Sequence, residues 1–162
     1  IVQNEKWTAD LLGPEGFDFC SKMKIAHREI IGQTLIEFSH AWFKRDDKPP
    51  SAKEAIKWKN HVKELHPNVK NFVFIHGHVH VPRYQIIKNL TILCQGATGL
   101  PFDRDPRGSV AFLKVLDDKI NWDVHRYNYK KEVTSAQLKK RKPPFYTNLM
   151  NTIRLASIRN DI

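Results

Sequence analysis

Asn71-Phe-Val-Phe-Ile75 is an apolar run that leads directly into His76-Gly77-His78-Val79-His80. An uninterrupted run, as opposed to an alternating one, suits a strand buried on both faces, as in a sheet covered by helices. A helix to cover it lies just upstream. Ser51-Ala-Lys-Glu54 is a capping box, in which Ser51 accepts from the third helical amide and Glu54 reaches back to the cap. Ala55, Trp58, Val62 and Leu65 then fall on one helical face, and Pro67 stops the helix.

The rest of the chain mixes the two element types. Phe17, Cys20 and Met23 at helical spacing predict a short helix between Thr8 and Lys24. Gly32-Gln33 punctuates the chain before Thr34–Ser39, a β-rich run that ends at His40. Residues 43–50 are charged and proline-bearing and form an exposed loop. Strands are predicted at Arg83–Lys88, Leu90–Cys94 and Val110–Leu116. Asp117-Asp118 turns the chain into a further strand at Lys119–Tyr127, and helices follow at Val133–Lys140 and Phe145–Ile158. This pattern predicts an α/β protein of mixed sheets flanked by helices. No linker divides it, so residues 1–162 read as part of one domain.

Composition narrows the function classes. No apolar stretch is long enough to span a bilayer, so no membrane partner is expected. Two cysteines exclude a disulfide scaffold and suit a reducing compartment, from which we expect a cytoplasmic protein. The formal charge is +10, and residues 128–162 hold eight basic side chains against Glu132 and Asp161. Lys139-Lys140-Arg141-Lys142 is the densest run. It has two readings: a phosphate-contacting patch, or a helix end whose cations complement the helix dipole. No aromatic residues that could stack on bases are interleaved with it.

The histidines carry the chemistry. Three of the eight lie in His76–His80, immediately after the buried strand, where open α/β sheets place their sites. In an extended segment His78 and His80 share a side, so they could chelate one ion or serve two neighbouring ions. Imidazole suits zinc, iron, nickel, manganese and copper. His40 ends another predicted strand and could join them. His27, His61, His66 and His125 read as surface residues.

Gly77-His78-Val79-His80-Val81-Pro82 resembles the G-H-x-H motif of calcineurin-like metallophosphoesterases. The preceding apolar strand, the following hairpin Arg83–Gln95, the turn Gly96–Pro101 and the segment Phe102-Asp-Arg-Asp-Pro-Arg-Gly-Ser109 appear in the family's order, the last resembling D-x-D-P-R-x-S. Cys94-Gln95-Gly96-Ala97 stands where small bacterial members carry Asn-Pro-Gly-Ser. Arg126-Tyr127-Asn128-Tyr129 and Pro143-Pro144-Phe145 resemble the tail of those enzymes. The resemblance implies the C-terminal part of a four-layer α/β/β/α sandwich and hydrolysis of phosphate mono- or diesters by two divalent metal ions, of manganese, zinc, iron or nickel. It assigns His40 and His78 to one metal and His80 to the other, and leaves His76 outside the ligand set. It gives Arg104 and Arg107 two roles, contact with substrate phosphate or buttressing of their loop through Asp103 and Asp105.

The family's D-x-H, G-D-x-x-D and G-N-H-[DE] motifs are absent from this sequence, whose first residue is Ile1. The expectation is therefore weak or single metal binding and impaired turnover by this chain alone. An exposed apolar sheet face or edge, leading to self-association as a homo-oligomer, is expected as well. Two alternatives stay open: a basic nucleic-acid-binding module without catalysis, and a single-zinc site made of His40, His78 and His80.

Overall fold

The computed structural model describes residues 2–43, 45–116 and 118–158. Asp117 of the predicted turn and Arg159 and Asp161 of the basic tail lie outside them. In chain order the elements are α1 (Val2–Ser21), β1 (Ala26–Ile31), β2 (Thr34–Ser39), α2 (Ala52–Leu65), β3 (Asn71–His76), β4 (Pro82–Ile87), β5 (Leu90–Gln95), β6 (Gly108–Leu116), β7 (Lys119–Tyr127), α3 (Lys131–Arg141) and α4 (Tyr146–Leu155).

β3 is the centre of a five-stranded mixed sheet of order β1-β2-β3-β5-β4. Strands β2, β3 and β5 run parallel, while β1 and β4 pair antiparallel at the two edges. The alternation of side chains along β3 sorts its apolar run onto two faces. Phe72 and Phe74 join Leu35, Leu90 and Ile92 under Ala55, Trp58 and Val62 of α2. Trp58 meets Phe74 edge-on at 5.3 Å. On the opposite face Val73 and Ile75 join Ile36 and Leu93 against Leu113, Val115, Ile120 and Trp122 of the β6–β7 hairpin. Helix, sheet and hairpin therefore form three successive layers, and the expected helix-flanked mixed sheet is what the chain adopts.

The capping box is formed: the Ser51 hydroxyl accepts from Glu54 N–H, and Glu54 accepts from Ser51 N–H at 2.9 Å. Leu65, expected on the apolar face, is the last residue of α2 and is exposed. The first helix is longer than predicted. It is broken at Gly13, whose φ of 66° precedes Pro14, and none of its residues is buried. The sequence pattern does not predict strand β1. It is an edge strand with almost every residue exposed, joined to β2 through Gly32-Gln33, with Gly32 at φ 58°. Its anchor is Arg28, which donates to the buried Glu37 across the ladder at 2.7 Å. The basic run occupies the last turn of α3, with Lys142 as a left-handed cap, so its cations lie at the negative end of that helix. Phe145, expected on the apolar face of α4, is instead the exposed residue capping it. No helix among the described residues is long and apolar enough to cross a membrane.

Candidate metal centre

The site follows from strand register. Ser39 of β2 lies opposite His76 of β3, so the next residue, His40, comes beside Gly77, and Gly77 N–H donates to His40 O at 2.9 Å. Strand β5, parallel to β3, delivers the loop 96–101 to the same edge. His40, Gly77, His78, His80 and residues 95–100 line a cavity of about 400 Å³ at the C-terminal ends of the three parallel strands.

The segment after β3 is not extended. His78 and His80 both have positive φ, 59° and 55°, a region that costs a non-glycine residue free energy and marks functional backbone. The peptide they depart from is held by several donors: Gly77 O accepts from His76 Nδ1 at 2.9 Å and from Val79 N–H at 2.7 Å, with Cys94 Sγ at 3.7 Å. Because of this turn, the same-side rule for i and i+2 does not govern His78 and His80, and the two rings meet different partners.

His78 Nδ1 lies 3.2 Å from His40 Nε2, with the rings edge to face. His78 Nε2 lies 2.9 Å from Asp47 O. A carbonyl only accepts, so Nε2 carries the proton and Nδ1 presents its lone pair to His40. His80 is held separately. Its Nδ1–H donates to Leu100 O at 2.7 Å, leaving the lone pair on Nε2, and its ring stacks on Phe102 at 4.7 Å. A backbone carbonyl on the far nitrogen is the arrangement that orients ligating histidines. The separation between His40 and His78 also equals the span of two imidazole nitrogens bound near-tetrahedrally at about 2.0–2.1 Å. The pair thus fits one divalent ion. A complete shell is a different matter: among the described residues, no group of three or more His, Cys, Asp or Glu side chains stands close enough to hold an ion. The three-histidine single-zinc arrangement is therefore not assembled.

His76 is buried on the α2 side of the sheet, in the row of Phe72 and Phe74. Burial pushes its imidazole below the ordinary value, and Arg83 and His78 act in the same direction. Burial likewise pushes the Cys94 thiol up. Of the two arginines singled out from sequence, Arg107 grips Asp105 with Nε at 3.0 Å from Oδ1 and a terminal nitrogen at 2.6 Å from Oδ2. That grip, with the Arg107 N–H and nearby Arg126, holds the Asp105 carboxyl far below the usual carboxylate range. Asp103 is taken by Arg126, to which the sequence reading assigns no role in this loop. Arg104 is exposed, has φ 65° and donates its N–H to Ala156 O at 2.8 Å, and its guanidinium has no ion pair among the described residues. His27 and His125 pair with Glu29 and Asp123 on exposed strands.

No protein-family model matches the chain, and no curated protein matches it in sequence. Solved structures do match. A hypothetical protein from Pyrococcus horikoshii OT3 superposes with a TM-score of 0.69 at 15% identity, over 95% of this chain and 59% of that one. A metallophosphoesterase from Sphaerobacter thermophilus superposes with a TM-score of 0.65 at 22% identity, over 93% of this chain and 66% of that one. The chain shares the fold of these two structures. The chain spans about three fifths to two thirds of the length of these two structures. In this fold the imidazole pair stands at the C-terminal edge of the parallel strands, and the hairpin covers the sheet face opposite α2.

Proposed function

We propose that this chain takes part in metal-dependent hydrolysis of phosphate esters, with His40 and His78 holding one divalent ion and His80 serving a second beside it. The supporting observation is the 3.2 Å approach of His40 Nε2 to His78 Nδ1, with the far nitrogen of His78 already donating to a carbonyl. When bound, divalent ions supply positive charge that polarises a phosphoryl oxygen and acidifies water for in-line attack. The chain's own groups do the rest. Asp47 O and Leu100 O hold the tautomers of His78 and His80 that leave lone pairs free. Of the two arginines singled out from the sequence, Arg104 is the one left for substrate phosphate, since Arg107 is engaged by Asp105.

Among the described residues no carboxylate joins the histidines, so the repulsion between two cations has nothing there to offset it, and this chain alone binds a single ion weakly. Titration of the metal-free protein with manganese or zinc, followed calorimetrically, tests this. One weakly bound ion is expected, lost in both His40→Ala and His78→Ala, with slow hydrolysis of bis(p-nitrophenyl) phosphate that Arg104→Ala weakens further. Binding that survives both histidine changes, or two ions tightly held with rapid turnover, overturns it.

A further inference from the structure

Four consecutive carbonyls in the loop lining the cavity are each taken by a donor from outside the loop. Ala97 O accepts from Ser109 N–H at 2.9 Å and from its hydroxyl at 3.1 Å. Thr98 O accepts from the Tyr127 hydroxyl at 2.8 Å, and Gly99 O from the Tyr129 hydroxyl at 2.8 Å. The fourth, Leu100 O, accepts from His80 Nδ1–H at 2.7 Å. The first three donors come from the base of the β6–β7 hairpin and the two residues after it. The fourth is the candidate ligand itself. Phe102, just past the loop, closes the circuit: its N–H donates to His80 O at 3.2 Å and its ring stacks on the imidazole.

We propose that Tyr127 and Tyr129 are positioning residues for His80: by fixing the peptides on which Leu100 O is mounted, they set which nitrogen of His80 carries its proton and where its ring lies. That His80 is a ligand at all rests on the function proposed above. Without the tyrosine bonds the loop still hangs from Ser109, but the two peptides nearest Leu100 lose their anchors. The carbonyl can then rotate away, and imidazole reverts to a mixture of its two neutral tautomers. Tyr129 is suited to a permanent donor role. Its hydroxyl is half-buried, and burial, with Tyr127 beside it, holds it above its ordinary value, so it keeps its proton at neutral pH.

The test uses Tyr127→Phe, Tyr129→Phe and the double variant, which keep both rings and remove only the hydroxyls. Tyr84→Phe, exposed on β4, is the control. Long-range nitrogen–proton NMR of the metal-free protein, at a pH where imidazoles are neutral, reads the tautomers directly. The native protein and the control should show His80 as the Nδ1–H form alone. The double variant should show both forms at His80, with His78, held by Asp47 O, unchanged. If His80 keeps one tautomer in the double variant, the proposal fails. Zinc titration supplies the second arm: the ion held by His40 and His78 should bind the double variant as it binds the native protein, because only the His80 side of the cavity is released. Loss of zinc binding together with the single tautomer would mean that the whole cavity has collapsed, and overturns the clamp. Should the double variant not fold, Tyr129→Phe alone carries the same readout.

Discussion

Gly108, the first residue of β6, lies beneath the loop that carries the cavity. A Cβ there would run into Thr98 O and come within 2.5 Å of Tyr127 Cζ and 2.7 Å of its hydroxyl. The obstruction includes a backbone atom that is itself hydrogen-bonded, so it cannot be relieved by a rotamer change. Gly108→Ala should therefore destabilise the protein by about 1–3 kcal/mol, as overpacking does, and should push Thr98 off the Tyr127 hydroxyl. Thermal melts of Gly108→Ala, Tyr127→Ala and the double variant check this. The costs should be less than additive, because removing the ring removes half of the clash. An unchanged melting temperature in Gly108→Ala would show that the loop yields freely. The same crowding explains what residue-level reasoning could not see. The pattern Gly77-His78-Val79-His80 names the imidazoles, but the left-handed backbone at His78 and His80, which separates their partners, arises from contacts with Gly77, Asp47 and Leu100. The tyrosines that bolt the loop lie 29 and 30 residues from the carbonyls they hold, with no periodicity linking them.

Among the elements, α2 and β3 were the most legible, because every local signal at them agrees: cap, apolar spacing, proline stop and an unbroken apolar run. Strand β1 was not, because an exposed edge strand needs no apolar alternation, and Ala26-His-Arg-Glu carries none. Its usable signal was Gly32-Gln33 set between Ile30-Ile31 and Thr34-Leu35, a two-residue hairpin connection. The cap of α2 also makes a pH prediction. The Ser51 hydroxyl, then the Ser51 N–H, hold the Glu54 carboxyl below its ordinary value, assisted by Arg45. A carboxyl whose value is lowered by folding stabilises the fold fully above its unfolded value. That contribution is lost as the pH falls below about 4.5 and through the folded value. The advantage in melting temperature of the native protein over Glu54→Ala should be constant above pH 6 and shrink as the pH falls below about 4.5. Ser51→Ala should cost about 1 kcal/mol at neutral pH, the usual loss for a helix cap. A native-minus-variant difference that does not change between pH 6 and pH 3 would mean that Glu54 caps nothing in solution.

For the whole molecule, the layering leaves one sheet surface without a cover among the described residues. Leu113 and Val115 of β6 and Ile120 and Trp122 of β7 face the central sheet, which turns Val110, Phe112 and Leu116 outward, at 41%, 57% and 70% exposure. Across the hairpin, Phe112 stands opposite Asp123 and Leu116 opposite Lys119, so apolar and charged side chains share this face. The outer edges of β1 and β4 add unpaired backbone groups, with Tyr84 and Ile86 exposed on β4. The self-association expected from the sequence can be tested at the hairpin face, where Phe112 and Leu116 are exposed. The net charge of +10 opposes that contact, since two like-charged copies repel. The two forces respond oppositely to salt. Screening shortens the reach of the repulsion to about 8 Å at physiological ionic strength and about 3 Å at 1 M, and leaves apolar contact intact. Association should therefore strengthen as salt is raised, the reverse of an ion-paired dimer. Sedimentation velocity across a concentration series at low and high salt reads this. A dimer that grows with salt and is abolished by Phe112→Lys with Leu116→Lys supports the hairpin face. A monomer throughout would mean the surface charge prevails, and a dimer indifferent to both substitutions would move the contact to the β1 or β4 edge.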